Sequence, residues 1–295
     1  MKRIWFLSLL FIIMLSNCTL QDLEVPDSNE PDRLTVFAFL DCRDTITRVL
    51  VERTFGFNQP FPTIDPGFRG QATVALSRQG QSIGGFLPES GSNYYTAVHA
   101  PVGTADPVSL SVSHPLFGTV EATQYPPAVG VLLSARLLKD VPLPGGGALS
   151  RALEVRIQDT PGQPNYYELY ASDGDYVTQV SFLLADLRLA QADNTDQALS
   201  TFLFNGSRLL TDDGMDGAEI RLLFNIGEEA DNYPAPVLSV RYTTEAYYQY
   251  VKYLSHFRAT GLTPSAAGEE PFSNFSGGGL GVFALYVEEQ IPVER

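Results

Sequence analysis

Few residues in this sequence have the types and spacings that enzymes use. Its 3 histidines, His99, His114 and His256, are scattered, and none forms an HxxxH or HxH pair, so a zinc site is not indicated. The glycines at 277–279 lack the lysine of a phosphate-binding loop, and they precede a predicted strand instead of a helix. The sequence therefore predicts no catalytic site.

Acidic residues suggest two further kinds of chemistry. Residues 212–219 contain four carboxylates that could bind Ca²⁺, but the alternating donors and distant glutamate of a calcium loop are missing. The two Asp-Gly pairs at 213–214 and 216–217 are more typical of tight turns between strands. Glycosidases need two carboxylates that flank a sugar, and among 34 acidic residues no particular pair is indicated. We therefore expect no metal, no non-covalent cofactor and no enzymatic activity.

Cys18 gives the clearest chemical signal in the sequence. It follows a leader that opens with Lys2 and Arg3 and is apolar from residue 4 to residue 15. This is the layout of a bacterial lipoprotein signal peptide, and the apolar run is shorter than the about 20 residues of a membrane-spanning helix. We predict that residues 1–17 are removed and that the Cys18 thiol carries covalent lipid. Asn17 departs from the small residue usual before such a cysteine, so an ordinary secretory signal is the alternative.

Residues 18–32 are predicted to form a tether. They are polar, acidic and contain proline, and such a composition cannot bury enough apolar surface to fold alone. An acidic cluster soon after the cysteine also resembles the signal that Bacteroidota use to export lipoproteins to the cell surface. The formal net charge of −15 becomes −17 once Lys2 and Arg3 leave with the leader. A strongly acidic chain argues against nucleic acids and anionic membrane surfaces as partners.

Cys42 is the second of the 2 cysteines. If Cys18 is lipidated, no disulfide can form within the mature chain. Since no histidine lies near Cys42 in sequence, we favour a small buried side chain over a reactive thiol.

The rest of the sequence predicts a mainly β fold with two β-sandwich-like domains. Residues 33–125 alternate like an Ig-like or transthyretin-like sandwich, and Pro126-Pro127 marks a boundary because prolines interrupt strand pairing. Residues 126–295 are β-rich and contain one amphipathic helix at 245–259. We expect its tyrosine stripe to pack on the second sandwich, with Thr243 or Thr244 capping its start. The predicted strands are 34–40, 45–53, 72–78, 80–87, 93–98, 108–112, 119–123, 131–139, 152–158, 166–172, 176–184, 200–203, 220–224, 237–243 and 280–287.

A loop at residues 55–70 carries the best candidates for a partner contact. Its phenylalanines Phe55, Phe57, Phe61 and Phe68 stand among prolines and glycines. Exposed aromatic side chains in a long loop often mark a protein contact. The alternative is that the loop folds onto its own sandwich, and the sequence leaves both open.

Several segments together carry a resemblance to a known family. In the second half they are DGMDG at 213–217, EAYYQYVKYL at 245–254 and EPFSNFSGGGLGVF at 270–283. In the first half they are VFAFL at 36–40, ATVAL at 72–76 and NYYT at 93–96. The chain resembles the Bacteroidota lipoproteins with a domain of unknown function, DUF4249. The resemblance implies an outer-membrane lipoprotein, often encoded beside a TonB-dependent receptor, and it supplies no catalytic residues.

The leading hypothesis is a non-catalytic accessory lipoprotein of the outer membrane. It would be anchored through Cys18, face the cell exterior and dock on an outer-membrane β-barrel, a TonB-dependent transporter. The alternative is a surface lipoprotein that binds glycans or peptides through tyrosine-rich surfaces. The tyrosines considered for that role are Tyr94, Tyr95, Tyr166 and Tyr167.

Overall fold

A computed structural model describes residues 32–54, 68, 70–103, 105–142, 148–172, 177–178, 180–183, 208–213, 215–226, 237–260 and 271–294. From Arg33 onward these residues belong to one unit, Arg33–Thr54 with Pro62–Arg295. The predicted leader, Cys18, the tether up to residue 31 and Phe55, Phe57 and Phe61 lie outside the described residues. The described part is mainly β, as predicted, with one helix.

The elements follow one another along the chain as short strands with a helix before the last one. They are β1 Leu34–Asp41, β2 Ile46–Arg53, β3 Thr73–Arg78, β4 Gln81–Gly85, β5 Leu87–Pro88, β6 Tyr94–Val98, β7 Val108–His114, β8 Gly118–Gln124, β9 Val131–Pro142, β10 Ala148–Gln158, β11 Tyr166–Ser172, β12 Val177–Thr178, β13 Val180–Leu183, β14 Arg208–Thr211, β15 Glu219–Ile226, β16 Val237–Thr243, α1 Glu245–Thr260 and β17 Leu280–Pro292.

The strands form one large sheet and two smaller ones. The large sheet, here the central sheet, has the order β12-β11-β16-β17-β1-β2-β6-β5, with β14 also paired to β11. An N-terminal sheet has the order β4-β3-β7-β8, and a C-terminal sheet has the order β13-β15-β10-β9. Each small sheet comes from one half of the sequence, whereas the central sheet takes strands from both halves.

The two halves of the sequence meet where β1 and β17 pair. These strands are parallel, with register partners from Thr35↔Leu280 to Asp41↔Tyr286. Parallel neighbours need a long connection, and here nearly the whole chain lies between them. Both halves therefore contribute strands to one continuous sheet, although the sequence predicted a domain boundary between residues 125 and 126.

The core lies between the central sheet and the two smaller sheets. Side chains alternate along a strand, so one face of β1 buries Val36, Ala38 and Leu40 while Phe37 and Phe39 point to the other face. We call these the inner and outer faces of the central sheet. One buried cluster joins the inner face to both small sheets, and its members include Val36, Val49, Val74, Leu110, Leu153, Ile220 and Val287.

Helix α1 covers part of the outer face, and its position confirms the predicted helix within a residue at its end. Tyr247, Tyr248 and Val251 are buried against Val282 and Ala284 of β17. The tyrosines of the helix therefore serve packing, as expected. Among the described residues, no helix is both long and apolar enough to cross a membrane.

The start of α1 differs from the expected capping. Thr243 Oγ1 donates to the Tyr166 carbonyl at 3.4 Å, and Thr244 Oγ1 accepts from the Leu285 amide at 3.4 Å. Both hydroxyls therefore bind strands of the central sheet, because the helix begins directly above them.

Candidate functional surface and polar clusters

Three aspartates meet at one end of the C-terminal half. Asp159 follows β10, Asp212 follows β14, and Asp216 lies in the turn before β15. One carboxylate oxygen of each lies within 4.8 Å of the others, with Asp159 and Asp212 buried and Asp216 exposed. The sequence pattern had singled out Asp212 and Asp216 as two of the carboxylates that could bind Ca²⁺. It gave no sign that Asp159 joins them, since that residue belongs to a distant connection.

Each carboxylate of this cluster has a hydrogen-bond donor from the chain. Gly217 N donates to Asp159 Oδ2 at 2.8 Å, and Gly162 N donates to Asp216 Oδ1 at 2.6 Å. Tyr167 donates its hydroxyl to Asp159, and Asn165 Nδ2 donates to Asp212 Oδ2 at 3.2 Å. Burial, and then the charge of Asp159, raise the pKa of Asp212 despite hydrogen bonds that lower it.

The hydrogen bonds of these aspartates therefore attach the turn that follows β14 to the segment that follows β10. Met215 N donates to the Asp212 carbonyl at 2.6 Å and Ala218 N to the Met215 carbonyl at 2.8 Å, so residues 212–218 turn tightly, as predicted. Three oxygens this close could also bind a divalent cation, and this is the group of the described residues with suitable geometry.

A second polar cluster lies on the outer face under α1. Glu168, Arg241 and Glu288 are neighbours on β11, β16 and β17. Arg241 binds both carboxylates, through Nη1 to Glu168 at 3.2 Å and through Nε to Glu288 at 2.7 Å. Tyr247 of α1 donates to Glu168 Oε2 at 2.7 Å, and Tyr170 donates to Glu288 Oε1 at 2.7 Å.

The opposite charges in this cluster stabilise each other's ionised forms. Burial alone would lower the pKa of Arg241, but the charge of Glu168 and the hydrogen bond to Glu288 raise it overall. Burial would raise the pKa of Glu288, but hydrogen bonds from Tyr170 and Gln290 and the charge of Arg241 lower it. The arginine therefore stays charged and ties α1 to the sheet, which is a structural role.

Two arrangements resemble a nucleophile site, and their surroundings argue against that role. Thr47 Oγ1 lies 2.6 Å from His99 Nε2, and His99 Nδ1 lies 2.7 Å from the Ala100 carbonyl. The carbonyl only accepts, so Nδ1 carries the proton and Thr47 donates to Nε2. Thr47 and His99 are both buried, which keeps a substrate from reaching the pair.

The second arrangement is a match to the GxSxG pattern of nucleophilic serines, GQSIG at residues 80–84. That motif acts on a turn between a strand and a helix. Here Gly80 has a φ of +75° in the turn of the β3–β4 hairpin, and Ser82 is exposed on β4. The sequence pattern is therefore present without the structural context that gives it function.

Cys42 has the structural role that we favoured. It is fully buried in the core and forms no disulfide with a described residue. Burial, followed by the charge of Asp41, raises the pKa of its thiol to about 12. A neutral, buried thiol is unreactive.

The glycine-rich segment before β17 is also structural. A Cβ on Gly277 would lie 2.4 Å from the Thr119 carbonyl oxygen, and one on Gly279 would lie 2.5 Å from Val120. The side chain of Asn274 pairs with the backbone of Phe283, donating at 2.7 Å and accepting at 3.0 Å. The segment therefore brings β8 close to the start of β17, which explains its glycines without a ligand.

The predicted contact residue Phe68 is not on the surface. Its side chain is 4% exposed, and its ring centroid lies 4.5 Å from that of His114 and 5.9 Å from that of Phe117. At this position the loop packs onto its own sandwich, so the expected partner contact through Phe68 was wrong. The expectation for Phe55, Phe57 and Phe61 stays a prediction.

Most of the tyrosines considered for ligand binding are buried or pack against other side chains of the protein. Tyr95 and Tyr167 are buried, and the Tyr95 hydroxyl accepts a hydrogen bond from Ala72 N at 3.1 Å. Tyr166 is half-buried and packs on Tyr248, with ring centroids 5.2 Å apart. Tyr95 and Tyr167 are therefore inaccessible to a ligand, and ligand binding through Tyr94 and Tyr166 stays a prediction.

Beyond α1, the outer face of the central sheet carries apolar side chains that are exposed in the described part of the chain. We call Phe39, Ile46, Leu87 and Val98 the apolar face; they are 38%, 54%, 73% and 75% exposed. Ile46 and Val98 are register partners, and Leu87 lies opposite Thr96 on the neighbouring strand. Directly opposite residues share a side of a sheet, so these side chains form one surface.

The charges beside the apolar face are paired with each other. Arg48 donates through Nε and Nη2 to Glu89 at 2.8 and 2.7 Å, and its guanidinium lies 4.2 Å above the Tyr94 ring centroid. Hydrogen bonds from Arg48 and then Thr96 lower the pKa of Glu89 to about 2. This part of an acidic protein is therefore close to neutral.

Comparison with known proteins adds one assignment to this geometry. No curated protein has a sequence that matches this one. A family model described as "Domain of unknown function (DUF4249)" matches residues 19–291. The match extends across both halves and includes the segments at 213–217, 245–254 and 270–283 that carried the resemblance. Because it covers most of the sequence, the chain belongs to the DUF4249 family.

Proposed function

We propose that this protein is a non-catalytic lipoprotein of the outer membrane that faces the cell exterior. It is anchored through Cys18 and serves as an accessory subunit of an outer-membrane β-barrel, a TonB-dependent transporter. The apolar face of the central sheet is the observation that carries the proposal.

The composition of this surface favours a protein partner. Four large apolar side chains are exposed together, although the chain has a formal net charge of −15. Removing apolar area from water is favourable by about 25 cal/mol per Å², before the entropic costs of association are subtracted. The neighbouring ion pair of Arg48 and Glu89 is already satisfied, so a partner need not supply a countercharge. An apolar protein surface fits these properties better than a nucleic acid or a sugar does.

The predicted anchor limits where the partner lies. The 15 residues from 18 to 32 span at most about 50 Å when fully extended. They lead directly into β1, and Phe39 lies on that strand. A lipid on Cys18 would thus keep the apolar face near the bilayer, where a membrane-embedded partner is within reach.

The polar groups support a non-catalytic role. Cys42 is buried with a raised pKa, and His99 has both ring nitrogens hydrogen-bonded. Arg241 neutralises the carboxylates under α1. These groups stabilise the fold and are poorly placed to act on a substrate.

Purification from native membranes tests the proposal. The tagged protein, extracted in mild detergent, should retain a β-barrel protein. Val98→Glu should abolish co-purification, because it places a charge in the centre of the contact. Leu116→Glu is the matched control, since Leu116 is 77% exposed and lies in the β7–β8 turn, away from the apolar face.

Two results would contradict the proposal. One is recovery of the unmodified protein as a lone monomer. The other is equal retention of the barrel by the two glutamate variants, which would separate partner binding from the apolar face. Mass spectrometry of residue 18 tests the anchor separately.

A further inference from the structure

The first and last described strands lie side by side in the middle of the central sheet. β1 has seven register partners on β17, from Thr35↔Leu280 to Asp41↔Tyr286. On its other side β1 pairs with β2 over five positions, from Leu34↔Arg53 to Ala38↔Val49. Backbone and side-chain bonds between Arg33 and Thr54, at 2.9 and 2.8 Å, extend that pairing. The segment that precedes β1 is therefore continuous with an interior strand.

The direction of each pairing decides how it resists tension. β1 and β17 are parallel, so drawing the start of β1 away from the end of β17 slides the strands along their axes. Ladder hydrogen bonds lie across the strands, and all seven pairs then resist together. β1 and β2 are antiparallel, so pulling on the start of β1 and the end of β2 opens their pairs one after another.

Packing around the β1–β17 pair opposes sliding. Val36, Ala38 and Leu40 of β1 and residues 282–285 of β17 are buried. A Cβ on Gly281 would lie 1.9 Å from the Val36 carbonyl oxygen, so only glycine fits at that point. A slip by one residue would bring a side chain to this contact and move buried side chains to the opposite face.

Both small sheets hold the segments that flank β17. Ser276 N donates to the Glu121 carbonyl on β8 at 2.8 Å. Glu294 N donates to the Ala135 carbonyl on β9 at 2.9 Å, and Leu137 N donates to the Glu294 carbonyl at 2.8 Å. Tension on β17 is therefore distributed over all three sheets.

We propose that β1 and β17 form a mechanical clamp, which lets the protein stay folded under tension between its N-terminal segment and the end of β17. The lipid anchor of the proposed function would be one source of such tension. The clamp depends only on the pairing of β1 with β17. It therefore goes beyond the proposed function, and its test is independent of that function.

Single-molecule pulling of the leaderless chain with Cys18→Ser tests the clamp. In the first geometry, handles at the N-terminus and after Arg295 load β1 against β17 along the strands. In the second, handles at the N-terminus and at Asn58 load β1 against the end of β2. The first geometry should need a several-fold higher force, because its pairs break together. Equal forces would overturn the proposal, and equal unfolding free energies of the two handle-bearing proteins would exclude misfolding as the source of a difference.

A pair of variants assigns the resistance to the β1–β17 contact. Ala284→Gly weakens β17 at its partner Phe39, and it should lower the force in the first geometry and leave the second unchanged. Ala97→Gly changes an equally buried alanine on β6, which pairs with Thr47 of β2, and should leave the first geometry unchanged. If both variants lower the first force equally, the resistance does not come from the clamp. Loss of barrel co-purification would not change these forces.

Discussion

Replacing Gly281 by alanine should prevent stable folding, whereas the same change at Gly278 should be tolerated. Both glycines have positive φ, +108° and +78°. A Cβ at residue 281 would lie 1.9 Å from the Val36 carbonyl oxygen, and a Cβ at residue 278 would meet nothing within 4 Å. Comparing the two variants thus separates the cost of a clash between strands from the cost of placing an alanine at a positive φ.

The expected magnitude follows from these distances. A left-handed conformation costs an alanine about 1–2 kcal/mol at residue 278, and it costs at least as much at residue 281, whose φ lies further from the left-handed minimum. At residue 281, β17 must also move about 1.5 Å from β1 to restore ordinary contact, which stretches backbone hydrogen bonds of about 2.9 Å to beyond about 4 Å. Losing three or four such bonds, each worth about 1 kcal/mol net, brings the total to about 4–6 kcal/mol. That is comparable to the whole stability of many domains, about 5–15 kcal/mol.

Urea unfolding followed by far-ultraviolet circular dichroism measures both variants. Tryptophan fluorescence is unsuitable because the single tryptophan, Trp5, lies in the predicted leader. We expect Gly278→Ala to lower the unfolding free energy by about 1–2 kcal/mol and Gly281→Ala to give little folded protein. Similar losses for the two variants would refute the close approach of β17 to Val36.

Three further predictions use the same unfolding assay or simple labelling. Arg241→Met should cost about 3–5 kcal/mol, because Glu168 and Glu288 would be left buried without their cation; a loss below about 1 kcal/mol would mean that the cluster is solvated. Burial lowers the pKa of His114, so the unfolded state binds a proton first and stability should fall as the pH drops through about 6.5. His114→Phe should reduce that acid sensitivity, and an unchanged pH profile would contradict the assignment. Cys42, with a pKa of about 12, should resist alkylation at pH 8 in the folded protein and react in urea; fast labelling of the native protein would show that the thiol is accessible.

Local patterns in the sequence predicted most of the described strands, the helix and the turn at 212–218, but not β14 at Arg208–Thr211. The predicted strand at 200–203 lies outside the described residues. These features depend on side-chain period and on residues with special backbone preferences, which a sequence displays directly. The burial of Cys42 followed in the same way, from its apolar character and the absence of a nearby histidine.

Features that depend on distant parts of the chain were not visible in the sequence. The parallel pairing of β1 with β17 joins the two ends of the described chain, and no local pattern specifies it. Asp159 joins Asp212 and Asp216 only because β10 and β14 end near the same turn. Alternation places Ile46 and Val98 on one side of their strands, but which side is left uncovered depends on where α1 packs.

The position of β17 has a consequence for how the protein folds while it is being made. The middle of the central sheet stays incomplete until residues 280–292 have been synthesised, since β17 lies between β1 and β16. Contacts between such distant residues form slowly, because a long stretch of chain must be ordered first. A nascent chain would therefore remain unfolded for longer than one built from local contacts, which is compatible with the export across a membrane that we propose for this protein.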